Sequence, residues 1–300
     1  MPVLILSYNK ASQGAKTLST AFSNEGIPVT RYGPGSPAVT ALNGRGTYLE
    51  QTVNTMLIKW GNIRTPAQPE TCKKTLMLNF GDTTRFTDKK KFYETFSETT
   101  VPMPNHFTRA VDAQAYLQQV DTKRPYLVER NVLSGHSGEG IRLLTGGDIV
   151  TPSAKLWTYY IPKKYEFRLH FVKLSNNDYR SFTQVKLLKK GLEKPEAAIP
   201  NRYQVRNLDN GWVYGPRNTD DVPEAVHAAA SAFIQSVYNT LDFGAIDIIY
   251  NEGTNAAYIL EVNTAPGLAS SVTGFYLSCF KEMYNNHDFT STKTKYTVAS

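Results

Sequence analysis

Apolar positions fall along the chain in short blocks of two different periods. Val3–Leu6, Met56–Trp60 and Thr75–Phe80 are brief apolar runs that read as strands. Between the first two, Leu18, Ala21 and Phe22 recur at helical spacing within Gly14–Gly26, and the closing glycine suits a helix C-terminus. Strand and helix signals in this order predict a small α/β lobe over residues 1–85. A new unit begins near Asp82. Thr87-Asp88 can cap a helix from Lys89 to about Ser97, and Val101-Pro102-Met103-Pro104 then stops it. Asp112 is expected to cap a second helix, Ala113–Val120, followed by a strand, Tyr126–Arg130, a glycine-rich loop, Leu133–Gly140, and a strand from Ile141, completing a unit over 86–155.

From Trp157 to Leu188 the pattern is strand-like and aromatic, with Trp157–Ile161, Glu166–Val172 and Phe182–Leu188 expected as antiparallel strands. Pro223 is placed to start a helix running to about Thr240. Two strands, Ala245–Tyr250 and Ala257–Val262, flank a turn-rich connector at 251–255, and a helix over about Ser271–Tyr284 ends a third unit, 156–290, before a polar tail at 291–300. The expected fold class is therefore α/β (α+β), with an N-terminal lobe and two mixed units.

Composition narrows the picture only slightly. With 300 residues, 41% hydrophobic and 20% charged, the chain has ordinary globular composition. No apolar stretch approaches the roughly 18 residues of a membrane span. Met1–Leu6 reads as a buried strand rather than a signal peptide. Cys72 and Cys279 form no metal-spaced pair, so a cytoplasmic setting is the default expectation. The formal charge of +7 favours an anionic partner: a nucleotide, a nucleic acid or an acidic peptide.

The richest chemistry lies in the last two predicted strands. Asp247 interrupts one apolar run, Glu261 interrupts the next, and Asn263 follows two positions on. Residues two apart in a strand share a face, so Glu261 and Asn263 point the same way, and a hairpin would let Asp247 face them. Two carboxylates and an amide oxygen suit a hard cation such as magnesium. A solvated polar sheet face would place the same residues in water.

At this point the chain resembles a known family. Asp247, then about 14 residues, then Glu261-Val262-Asn263 followed by Pro266-Gly267, is similar to the metal-binding end of the ATP-grasp superfamily. Gly244–Ile249 and Leu260–Gly267 particularly resemble its glutamate-ligase branch. The resemblance implies an ATP-grasp fold in which two subdomains grip ATP. It also implies that Asp247, Glu261 and Asn263 bind magnesium, expected as two ions with manganese as an alternative. Motifs upstream follow the family order. Asp88-Lys89 ahead of the Pro-x-Pro segment resembles the start of the ATP-binding domain, with Lys89 on phosphate. Pro125–Arg130 occupies the place of a phosphate-binding strand, but Glu129 and Arg130 stand where the family has lysine, leaving Arg130 to supply the charge.

Leu133–Ile141 resembles the glycine-rich phosphate loop, which implies Ser137, Gly138 and Gly140 as contacts. His136 either touches phosphate or substrate, or is a plain loop histidine. Trp157–Arg168 resembles the adenine-binding hinge, which implies Tyr160 and Ile161 at the hinge, Glu166 on the ribose and Arg168 near the reacting groups. Lys186 and Arg206 are implied near the γ-phosphate.

The family's chemistry is carboxylate–amine ligation through an acyl-phosphate. It implies a carboxylate donor and an amine acceptor, small or macromolecular, as partners, and no membrane. Two alternatives stay open: a nucleotide-binding relative without ligase activity, motivated by the missing lysine, and a basic nucleic-acid-binding module, motivated by the charge and 12% aromatics.

Overall fold

The computed structural model of the chain describes residues 1–34, 53–61, 74–133, 140–175, 178–192 and 203–290. The N-terminal lobe is a parallel sheet of β1 (Val3–Ser7), β2 (Val29–Tyr32), β3 (Thr55–Trp60) and β4 (Thr75–Leu78), in the order β2-β1-β3-β4. Every residue of β3 and β4 is buried, as expected where both faces of a parallel sheet are covered. Helix α1 (Gln13–Asn24) packs Ala15, Leu18 and Phe22 on this sheet. Its N-cap Ser12 accepts from the Ala15 amide at 3.4 Å. Its C-terminus closes as a Schellman motif: Gly26 has φ +72, and the Gly26 and Ile27 amides each donate at 3.0 Å to the Ser23 and Phe22 carbonyls.

A second, antiparallel sheet joins β5 (His106–Phe107), β6 (Leu127–Arg130), β7 (Ile141–Leu144) and β8 (Leu156–Tyr159) in the order β5-β8-β6-β7. The strand expected at Trp157–Ile161 ends at Tyr159 and pairs with β6, not with the strands that follow it. Helix α4 (Ala110–Leu117) covers the sheet through Ala113 and Leu117. The expectation that Asp112 caps this helix is corrected. The extended residue at the N-cap is Arg109, three positions earlier, and Asp112 lies in the first turn. A carboxylate there still suits the helix dipole.

The third sheet is antiparallel and five-stranded: β9 (Tyr165–Ser175), β10 (Asp178–Leu188), β11 (Trp212–Pro216), β12 (Phe243–Asn251) and β13 (Ala256–Asn263), in the order β11-β10-β9-β12-β13. Strand alternation splits its residues between two faces. Phe167, Leu169, Phe171, Val185, Ile246 and Ile248 share a core with Phe86 of α2 (Thr84–Thr87), Phe92 and Phe96 of α3 (Lys89–Phe96) and Phe233 of α5 (Glu224–Ser236). Helix α5 starts after Pro223 as expected but stops at Ser236, short of Thr240.

Part of the other face meets α6 (Ser270–Asn285), whose Tyr276 and Phe280 pack with Phe243, Val172 and Trp60 of the N-terminal lobe. A reciprocal buried link fastens that lobe to the third sheet. The Asn79 amide donates to the Asp242 carboxylate at 2.7 Å, and Asn79 Oδ1 accepts from the Asp242 amide at 2.7 Å. Among the described residues no helix is long and apolar enough to cross a membrane.

Candidate active site

The remainder of that second face carries charge. Cross-strand register sets Arg168 opposite Asp247, Asp247 opposite Glu261, and Ala245 opposite Asn263, so these polar groups form one row across β9, β12 and β13. The register shifts after Asp247, so that Ile248 pairs with Ile259 and Leu260 is the extra residue. Arg168 grips Asp247 through both carboxylate oxygens, at 2.6 and 2.7 Å. Lys89, from the start of α3, pairs with Glu261 at 2.9 Å. The Asp88 side chain caps α3 by accepting from the Lys91 amide at 3.0 Å, which fixes where Lys89 emerges. The Pro102 carbonyl accepts from the Ile259 amide at 2.8 Å, so the Pro-x-Pro segment closes the outer edge of β13.

On the β10 side, Glu166 accepts from Lys163 at 2.9 Å and from Lys186. Lys186 also donates to the Arg206 carbonyl at 2.5 Å. Burial alone would raise the Glu166 carboxyl, but Lys163 and Lys186 outweigh it and hold the group at about 2. Burial opposes ionisation of Glu261 too, and Lys89, Arg130 and Arg168 bring it to about 2. Burial pushes the Asp247 carboxyl up, against the pull of Arg168 and with the facing Glu261 adding to the rise. The two facing acids thus differ in proton affinity, and each is paired with a cationic side chain, Asp247 with Arg168 and Glu261 with Lys89.

Strand β6 carries Glu129 and Arg130, the two residues at the place of the expected lysine. Its two charged residues point to opposite faces, as alternation requires. Glu129 is fully buried within the second sheet, where it accepts from the Thr151 amide and hydroxyl at 2.6 Å each and from Trp157 Nε1 at 2.9 Å. Arg130 faces the other way, close enough to Glu261 and Tyr93 to shift both.

Six buried side-chain atoms have no hydrogen-bond partner among the described residues, and four of them are donors around this row: Arg130 Nε, Asn263 Nδ2 and the hydroxyls of Tyr93 and Tyr214. Buried donors without acceptors are rare in folded proteins and call for a reason. A donor set of this kind, next to two carboxylates, matches an anion that arrives together with a cation.

The other expected site residues are placed less centrally. Tyr160 and Ile161 follow β8 in the connector to β9, where the Tyr160 amide donates to the Tyr126 carbonyl at 2.7 Å. Arg206 lies at the rim: it donates to the Lys164 and Lys163 carbonyls at 3.2 and 3.3 Å and stacks on Trp212 at 4.5 Å. Gly140 has φ +69 and accepts from the Asn131 amide at 3.0 Å, closing the base of the glycine-rich loop. His136, Ser137 and Gly138 lie outside the described residues.

Three neighbours of the row escaped sequence reasoning. Lys163 holds Glu166, Tyr93 sits one helical turn after Lys89, and the Tyr214 ring underlies Arg168 at 4.2 Å. Only Tyr93 carried a signal, its i, i+4 spacing from Lys89. Among the described residues there is no cluster of three or more His, Cys, Asp or Glu side chains suited to a metal. The oxygens of the row that a cation could meet are those of Asp247, Glu261 and the Asn263 amide.

No protein-family model matches the chain, and no curated protein matches it. Solved structures do. The chain is similar to the macrocyclase MdnC from Microcystis aeruginosa MRC, bound with precursor peptide MdnA, with a TM-score of 0.58 at 13% identity over 96% of this chain and 100% of that one. It is similar to D-alanine–D-alanine ligase from Bacillus anthracis complexed with ATP, with a TM-score of 0.59 at 12% identity over 95% of this chain and 96% of that one. It is also similar to a RiPP-associated ATP-grasp ligase from Chryseobacterium gregarium, in complex with ADP and a leader and core peptide, with a TM-score of 0.53 at 13% identity over 95% of each chain. At these identities the likeness is one of fold, and the fold is that of the ATP-grasp ligases.

Proposed function

We propose that the chain is an ATP- and magnesium-dependent ligase that joins a carboxylate to an amine through an acyl-phosphate. The observation that carries this reading is the row Arg168–Asp247–Glu261, with Lys89 beside it and four donors lacking acceptors around it. That arrangement fits a metal-bound triphosphate better than it fits a structural ion-pair network, which would leave few buried donors unpartnered, whereas four of the six such atoms gather at this row.

In this reading the backbone at Tyr160 and Ile161 meets the adenine edge. Each oxygen of Glu166 already accepts from one lysine and keeps a further lone pair for a ribose hydroxyl. Lys89, Arg130 and the loop with His136, Ser137, Gly138 and Gly140 orient the phosphates. Asp247, Glu261 and Asn263 hold magnesium, which supplies neutralisation of charge on the phosphate oxygens. A donor carboxylate oxygen bonds to the γ-phosphorus as its bond to ADP breaks. The amine then attacks the acyl carbon, loses a proton, and phosphate departs. Arg168, Lys186 and Arg206 stabilise the negative charge that develops.

Two of the similar structures hold peptides. With the formal charge of +7, this supports a peptide as the substrate here, acidic side chains being the natural donors. Incubating the protein with ATP, magnesium and a cell extract, followed by mass spectrometry, tests the reading. A product lighter than its parts by one water, with ADP and phosphate released, is expected. Nucleotide binding without any turnover would favour a relative that binds but does not ligate.

A further inference from the structure

Tyr214 has no role in the scheme above, yet it lies at its centre. It stands on β11 directly across from Lys186 on β10. Its ring is covered by the Arg168 guanidinium at 4.2 Å and lies 5.2 Å from the Lys186 ammonium. Its hydroxyl is buried and has no hydrogen-bond partner among the described residues. Arg168 and Lys186 are occupied by Asp247 and Glu166, so Tyr214 brings a donor that no nearby carboxylate takes.

Burial, Asp247, Glu166 and Glu261 all favour the protonated phenol, with Arg168 opposing, so the group stays a donor throughout the neutral range. A hydroxyl desolvated and left without an acceptor is destabilising, and two cations next to it define what would relieve it: an anionic oxygen. In the ligase reading such an oxygen belongs to the group passing between nucleotide and carboxylate.

We propose that the Tyr214 hydroxyl donates a hydrogen bond to the transferred phosphoryl group and positions it against Arg168 and Lys186. This rests on the ligase reading and adds a residue to it. Tyr214 acts on the phosphoryl group alone; the nucleoside diphosphate is held elsewhere, by Lys89, Arg130 and the hinge.

The test is Tyr214→Phe in the full chain, which removes one oxygen and keeps the ring under Arg168. Calorimetry measures the affinity for ADP with magnesium, and then the affinity of that complex for orthovanadate as a phosphoryl mimic. The variant is expected to keep its ADP affinity within about twofold and to bind vanadate about tenfold more weakly, the worth of a charge-assisted hydrogen bond. Equal vanadate affinity in both proteins would overturn the proposal, as would a wild type that binds ADP but no vanadate. A parallel loss of ADP and vanadate would mark Tyr214 as structural and overturn it as well. If the wild type binds no ADP, the ligase reading itself falls, which distinguishes the two failures.

Discussion

Two buried acidic sites in this molecule are satisfied in different ways. In the second sheet, Glu129 is closed by neutral donors on strand and loop, the Thr151 amide and hydroxyl and the Trp157 indole, with Arg142 more distant at 3.6 Å. In the third sheet, Asp247 and Glu261 are met by the ends of long cationic side chains, Arg168 and Lys89, with donors nearby that have no acceptor among the described residues. The first arrangement is complete and belongs to the fold. The second is balanced in charge yet leaves buried donors without acceptors among the described residues, the difference on which the proposed site rests.

The largest expected effect breaks the second arrangement alone. Glu261→Gln or Asp247→Asn should lower ATP turnover by about a hundredfold or more, with circular dichroism unchanged, because the proposed magnesium ion would lose a charged ligand. Full activity in either variant would place the metal elsewhere. Glu129→Ala should do the reverse. It strands the Thr151 and Trp157 donors and should cost about 3 kcal/mol of stability, read as a lower Tm, while the surviving folded protein should keep the proposed affinity for nucleotide.

How far this contrast could be read from sequence depends on the range of the interactions. The alternation that places Glu261 and Asn263 on one face is local and legible, but Asp247 joins them only through the register shift that leaves Leu260 as the extra residue, and no sequence pattern points to that bulge. The same alternation also separates Glu129 from Arg130, placing them on the two faces of β6. The partners of Glu129 lie 22 and 28 residues away, and no spacing rule points to them. Tyr214 looks like any strand aromatic until β11 is seen to pair with β10. The cap of α4 failed for another reason: Asp112 is a good N-cap residue, but the chain turns helical three residues earlier, and propensity does not fix a boundary.

Acid should separate two buried groups that flank the row. His170, between Gln184 and Tyr276, is held near 3 by burial and, secondarily, by Arg168. It stays neutral when folded but takes a proton below about 6.5 when unfolded, so its contribution is lost as pH falls from 6.5 toward 3. Glu166, at about 2 when folded, contributes fully above its ordinary 4.5 and loses that contribution as pH falls from 4.5 toward 2. Scanning calorimetry against pH should show a first decline in Tm that His170→Gln flattens and a second, lower one that Glu166→Gln flattens. A Tm independent of pH between 6.5 and 3 would contradict both assignments.

The smallest expected effects compare the cationic partners. Arg142→Leu should cost less than about 1 kcal/mol, because Arg142 is 44% exposed and neutral donors already satisfy Glu129. Lys89→Met should also change Tm little but should weaken ADP binding about tenfold, since its charge is expected to serve the phosphates.

The central claim, that the row Asp247–Glu261–Asn263 with its idle donors receives a metal-bound nucleotide, is tested most directly by calorimetric titration of ADP with and without magnesium, in the wild type and in Glu261→Gln. The wild type should bind ADP at least about tenfold more tightly with magnesium, and Glu261→Gln should lose that dependence. ADP affinity in the wild type that is absent, or the same with and without magnesium, would contradict it.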